Sequence, residues 1–211
     1  MRHEKDLIRI ASFLDGLNAA FGGLCENQRS MVSAYNSLAE IWQDKVYSVT
    51  GQALTETAAS TEKAYKVFTA VCNVLRKQHE ILCEYQEIDE ARHYAELDFP
   101  KNFAWENGYM NNGKIKVEAT DIEAFERALA EYLHTLETEL SAIEREYNAV
   151  GEAWNDDQYV SFGEYITAFV RKTETQIQGL QQLGALLDKK RQLIEAADQE
   201  RHRMASAGDS V

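Results

Sequence analysis

The sequence predicts an all-α protein: two tandem antiparallel helical hairpins packed as an elongated four-helix bundle. Three observations predict it. The chain holds a single proline in 211 residues, and proline breaks helix interiors. It repeats itself at an offset of 112 residues. Within each copy, apolar residues recur at spacings of three and four, the stripe that one face of a helix presents.

The repeat is densest where Tyr35–Gly51 aligns with Tyr147–Gly163, and seven of those seventeen positions are identical. They are Tyr, Asn, Glu, Trp, Asp, Tyr and Gly. The same offset pairs Phe13 with Phe125, Leu17 with Leu129, Leu24 with Leu136 and Leu75 with Leu187 without a gap. A tandem duplication follows.

Each copy has one internal plan. Before the Trp of copy one the stripe runs Phe13, Leu17, Leu24, Met31, Tyr35, Leu38 and Trp42; after it come Tyr47, Leu54, Ala58, Tyr65, Phe68, Cys72, Leu75 and Leu82. Copy two repeats this from Phe125 through Val150 to Trp154, then from Tyr159 through Ile166, Val170, Ile177 and Leu187 to Ile194. Between the stripes stands Trp-x-Asp, and an Asp there can cap the following helix through free backbone N–H groups. The arms come to about 35 to 47 residues, or roughly 50–70 Å at 1.5 Å per residue.

Residues 98–119 read as an ordered connector between hairpin one (1–97) and hairpin two (120–204), with 205–211 a flexible tail. Asp98-Phe-Pro100 is expected to end the second helix, because the residue before proline avoids the α conformation. Glu106-Asn-Gly108 and Asn111-Asn-Gly113 are turn signals, and Lys114–Val117 alternates like a strand, so the connector has room for a small β-hairpin. Phe103, Trp105 and Tyr109 make it apolar enough to be a docking surface.

Composition excludes several functions. With 35 acidic against 22 basic residues and a net charge of −13, the chain is unsuited to nucleic acid, which is held by Lys and Arg on phosphates. The same balance disfavours docking on anionic membrane, and no apolar run approaches the roughly 18 residues of a membrane span. The charged start leads into an amphipathic stretch without a signal-peptide core, and the cysteine usage is that expected of a reduced, cytoplasmic chain. Cys25, Cys72 and Cys83 are an odd set without Cys-x-x-Cys spacing, which signals neither a disulfide framework nor a zinc site.

A hairpin of amphipathic helices with a Trp-centred turn, here Trp42, Asp44 and Tyr47, then Trp154, Asp156, Tyr159 and Phe162, resembles the Trp-X-Gly (WXG-like) family of type VII secretion. In both copies Asp stands where the family has its turn glycine. The resemblance implies a hairpin dimer fused in tandem. It also implies a non-enzymatic interaction protein without cofactor, exported by a signal-peptide-independent system or acting as carrier for a toxin-like partner. By the same resemblance Tyr85–Asp89 and Tyr94–Asp98 fit the family's Tyr-x-x-x-Asp/Glu export signal. The partner-binding candidates are the turn residues, with Gly51 and Gly163 placed for close packing against the facing arm. Homo-oligomers are open to such a chain.

Two other classes compete. Glu90-Ala-Arg-His93 and Glu131-Tyr-Leu-His134 are both Glu-x-x-His, which in pairs holds di-iron centres inside helical bundles; Glu62 would be a further ligand. Against a metal site, the two motifs are only 41 residues apart, with Pro100 between them, and fall outside the repeated frame. His79, opposite Arg191 in the repeat, is expected at the edge of the core. A coiled-coil scaffold in a phage-derived or defence assembly is the third class.

Overall fold

The computed structural model describes residues 2–39, 41–42, 44–86, 92–104 and 117–208. Four helices account for most of them: α1 (Arg2–Leu38), α2 (Lys45–Tyr85), α3 (Ala119–Val150) and α4 (Asp157–Gly208). α1 with α2 and α3 with α4 are the two hairpins, and α1 also packs on α3 while α2 packs on α4. The expected all-α bundle of two tandem hairpins is what the chain forms. No strand occurs among the described residues, and the segment where a small β-hairpin is expected lies mostly outside them.

The most extensive helix contact is not within a hairpin but between α1 and α3. Gly16 faces Glu146, Gly23 faces Glu139, and Tyr35 meets Phe125, so the two run antiparallel. Their contact centres near Leu24 and Leu136, the very residues that the repeat offset pairs. α2 and α4 are likewise antiparallel, with Phe68 against Phe162 and Phe169, and Ser60 hydrogen-bonded to Gln176. The two copies are thus related by an approximate twofold axis, the arrangement a symmetric dimer of hairpins would have.

Almost every stripe residue named above is buried; Tyr65, Cys72, Leu82, Tyr147, Tyr159 and Ile194 are half-buried. α1 buries more than its stripe, adding Leu7, Ile10, Leu14, Phe21 and Cys25, because it touches two neighbours at once. This also explains its hydropathy. Where the sequence reading found no run of spanning length, a window of α1 is apolar enough by length and composition to cross a membrane, but half of it is buried inside the bundle. Core helices pass that test without a membrane. Between α2 and α4 the buried Thr57, Thr61 and Thr173 return their hydroxyls to the carbonyl one turn earlier, which lets them sit in the core.

Helix α2 ends at Tyr85, not at the expected Asp98-Phe-Pro100. Charge favours that end: the last turn holds Glu84 and no basic residue to offset the negative end of the helix dipole. Residues 92–103 form instead an extended strap along hairpin one. Phe99 and Phe103 are buried, Tyr65 Oη accepts from the Leu97 amide at 3.0 Å, and Asn36 brackets the strap by bonding Asn102 O and Ala104 N at 2.8 Å each. Gln28 donates to Pro100 O, Arg92 pairs with Asp15 and Lys101 pairs with Glu62. The strap wedges α1 and α2 apart, and their contact is the smallest of the four. It leaves a half-open cleft of about 400 Å³ lined by Leu14, Phe21, Phe68, Cys72, Arg76 and Tyr94. Hairpin two, without a strap among the described residues, closes more tightly. α4 is helical to Gly208, into the segment 205–211 expected as a tail, whose last three residues lie outside the described ones.

Candidate functional site

Both ends of the bundle are capped by a turn built on one design. In the first, Asp44 is the N-cap of α2 and its Oδ1 accepts from the Tyr47 amide at 3.0 Å. That bond fixes the direction of the helix start, which carries Tyr47 back against α1. There Tyr47 stacks on Tyr35 with centroids 4.3 Å apart, and the Tyr35 hydroxyl donates to Tyr47 O at 2.7 Å. Trp42 packs edge-on to Tyr47 at 6.0 Å and is 1% exposed. Gly51 is buried one turn further on, its backbone beside the Tyr35 hydroxyl.

The second turn repeats each element. Asp156 Oδ1 accepts from the Gln158 and Tyr159 amides at 2.9 Å. Tyr147 stacks on Tyr159 at 4.4 Å, its hydroxyl donating to Tyr159 O at 3.1 Å. Trp154 meets Tyr159 edge-on at 5.5 Å and Phe162 at 5.9 Å. Here the buried glycine has a measurable reason: a Cβ on Gly163 would run into the Tyr147 hydroxyl and ring. The indole Nε1 of Trp154 is buried without a hydrogen-bond acceptor among the described residues, so that ring is held by packing.

The two turns differ in what lies over them. From α4, the Lys190 ammonium stands 4.4 Å from the Trp42 ring centroid and pairs with Asp44. Burial raises the Asp44 pKa, but the Lys190 hydrogen bond and the Tyr47 amide outweigh it and hold the carboxyl below its ordinary value. The residue that the repeat puts in place of Lys190 is Gln78 of α2, exposed and uncharged. Around it opens a cleft of about 340 Å³, lined by Ile10, Leu75, Ile81, Ala153 and Trp154. Among the described residues no ion pair reaches Asp156 and no cation stands over Trp154; Arg9 is engaged with Glu152.

Burial pushes Tyr35 and Tyr47 upward, and Tyr147 to about 12, so these phenols stay protonated and do not serve as bases. The three cysteines are free; desolvation lifts Cys72 to about 12, and Cys25 spends its thiol on Asp98 O at 3.1 Å. Neither Cys25 nor Cys72 has the lowered pKa of a nucleophile. Of the connector candidates, Phe103 is buried against Tyr35 in the strap, so it is a core residue and not a docking surface. Trp105 and Tyr109 lie outside the described residues.

The structure describes three of the four Glu-x-x-His residues. His93, Glu131 and His134 are exposed, Glu62 is taken by Lys66 and Lys101, and Glu90 lies outside the described residues. Among the described residues no group of three or more His, Cys, Asp or Glu could hold a metal ion. His79 is fully buried, further inside than its expected place at the core edge, with Cys83 Sγ 3.6 Å from Nδ1. Of the two Tyr-x-x-x-Asp motifs, Tyr94 sits in the extended strap with its hydroxyl on Asp15, and Tyr85 ends α2 almost fully exposed. Lys190 escaped the sequence reading; comparing unlike residues across the repeat, Lys190 with Gln78, could have found it.

Residues 114–199 match the sequence profile of WXG100, the family of proteins of 100 residues with WXG, whose members are helical hairpins associated with type VII secretion. The span takes in α3, the Trp154 turn and most of α4. No curated protein and no solved structure matches the chain.

Proposed function

We propose, from a second hairpin of the WXG100 kind joined to its own duplicate, that the chain is a non-enzymatic interaction protein of a type VII secretion system. It is either exported itself or serves as carrier or adaptor for a toxin-like partner. The observation that carries the reading is the Trp154 turn inside the matched span, in which Trp, Asp and Tyr serve to lock one arm onto the other. What supports binding over catalysis is that the Tyr35 and Tyr147 hydroxyls and the Asp44 and Asp156 carboxylates at the turns are engaged in fold-forming bonds. Tyr85 supports export: it stands in solvent at the end of a helical arm, where a Tyr-x-x-x-Asp motif begins.

The test is export of an epitope-tagged chain from a bacterium with a type VII system, its secretion ATPase intact or inactivated. Release into the medium only with the active ATPase supports a substrate. Retention of this chain, with a co-expressed toxin released only in its presence, supports a carrier. If neither release depends on the ATPase, the secretion role is wrong.

A further inference from the structure

Internal duplication lets one end of this molecule serve as a template for the other. At the first turn, the template is complete: Trp42 offers its ring, Asp44 its carboxylate, and Lys190 satisfies both at once. At the second turn the ring and the carboxylate are repeated as Trp154 and Asp156, but the position of Lys190 is Gln78. The missing cation coincides with the apolar cleft beside Gln78, walled by Ile10, Leu75, Ile81 and Trp154.

Charge separates the two ends as well. Residues 39–45 carry Glu40, Asp44 and Lys45, a net −1 that Lys190 brings to zero. Residues 151–157 carry Glu152, Asp156 and Asp157, a net −3 that Arg9, paired with Glu152, brings to −2 and that Gln78 leaves there. A ring face beside a carboxylate is a cation site of known strength, and an apolar wall adds affinity for the stem of a long basic side chain. Ile81, exposed beside the cleft, extends that wall toward solvent.

We propose that the Trp154 end docks a partner protein segment presenting a Lys or Arg flanked by apolar side chains, seated on Trp154 and Asp156 as Lys190 sits on Trp42 and Asp44. This rests on the reading of the chain as an interaction protein and assigns its partner a chemistry. The Trp42 end, already filled from within, is closed to the same ligand. The two ends of a nearly symmetric body thereby give it a polarity for assembly.

The experiment follows the three indole N–H resonances of the intact ¹⁵N-labelled chain, assigned through Trp154→Phe and Trp42→Phe. The probe is an amphipathic helical Leu/Lys peptide, and its Leu/Glu counterpart is the control. The expected result is a saturable shift of the Trp154 signal with the Lys peptide alone, while the Trp42 signal stays put. Gln78→Lys, which supplies the cation in cis, is expected to weaken that response about tenfold, the loss of one good contact of roughly RT ln 10. Gln52→Lys, an exposed site on α2 that adds the same charge, is expected to leave it unchanged. Equal weakening by both variants, or no Trp154 shift, would overturn the proposal. A Trp154 shift that appears on concentrating the chain alone and vanishes in Gln78→Lys would overturn it in favour of a second copy as occupant. Export that still depends on the ATPase while the Trp154 signal ignores the peptide would sink the docking site and leave the secretion role standing.

Discussion

The two ends of the bundle share a plan and differ in completion. At the first, Trp42 and Tyr47 are almost wholly buried, the Tyr35 hydrogen bond is 2.7 Å and Lys190 closes the ring face. At the second, Tyr147 and Tyr159 are half-buried, the corresponding bond is 3.1 Å and Gln78 leaves a cleft. The Trp, Asp and paired Tyr are the same at both turns, so the difference comes from the residues around them, Lys190 against Gln78 above all. A duplicated motif is held to its fold by its own residues and freed to diverge by those that pack over it.

The largest effect expected of that comparison is at the tryptophans. Trp42→Ala should cost about 3–5 kcal/mol, as truncation of a fully buried aromatic does. Trp154→Ala should cost less, because its cleft is already part empty; chemical denaturation of both variants measures the gap, and equal losses would abolish the distinction. Next is Gly163→Ala. Alanine favours a helix interior over glycine, yet its Cβ would displace the Tyr147 ring, and overpacking of this kind costs about 1–3 kcal/mol. A raised melting temperature in that variant would show that the Tyr147–Tyr159 stack yields cheaply.

Smaller effects follow from the hydrogen bonds. Tyr35→Phe removes a buried hydroxyl and should cost about 1–1.5 kcal/mol, with Tyr147→Phe costing less at the more open end. Smallest is Lys190→Gln, which makes the first end resemble the second and should cost about 0.5–1 kcal/mol for a partly exposed ion pair with a cation–π contact. Its sharper readout is pH. The Asp44 pKa is lowered from 3.8, so its contribution is present above that value and lost as pH falls through the folded one. In Lys190→Gln the Asp44 titration, followed by carboxyl NMR, should move upward, and the acid unfolding midpoint should move up with it.

Much of this was legible in the residue order. The 112-residue offset and the stripes predicted both hairpins, and Trp-x-Asp placed both turns. The roles of Asp44 and Asp156 were legible because capping acts within one helical turn, and that of Gly163 because its contact, Tyr147, lies across the same hairpin turn. The site was less legible where packing crosses between copies. Phe103 reads as an exposed anchor from its apolar neighbours, and only the groove between α1 and α2 turns it into core.

The sequence by itself determined the class, the duplication, the helix stripes and the caps, since these rest on local periodicity and on backbone groups a few residues away. Tertiary structure alone decided that α1 pairs most closely with α3, that the strap lies along hairpin one, and that Lys190 covers Trp42 across 148 residues of chain. The reason is physical. An apolar stripe states how much surface must leave water but not which stripe will cover it, and that choice falls to shape, charge and the room left by every other segment.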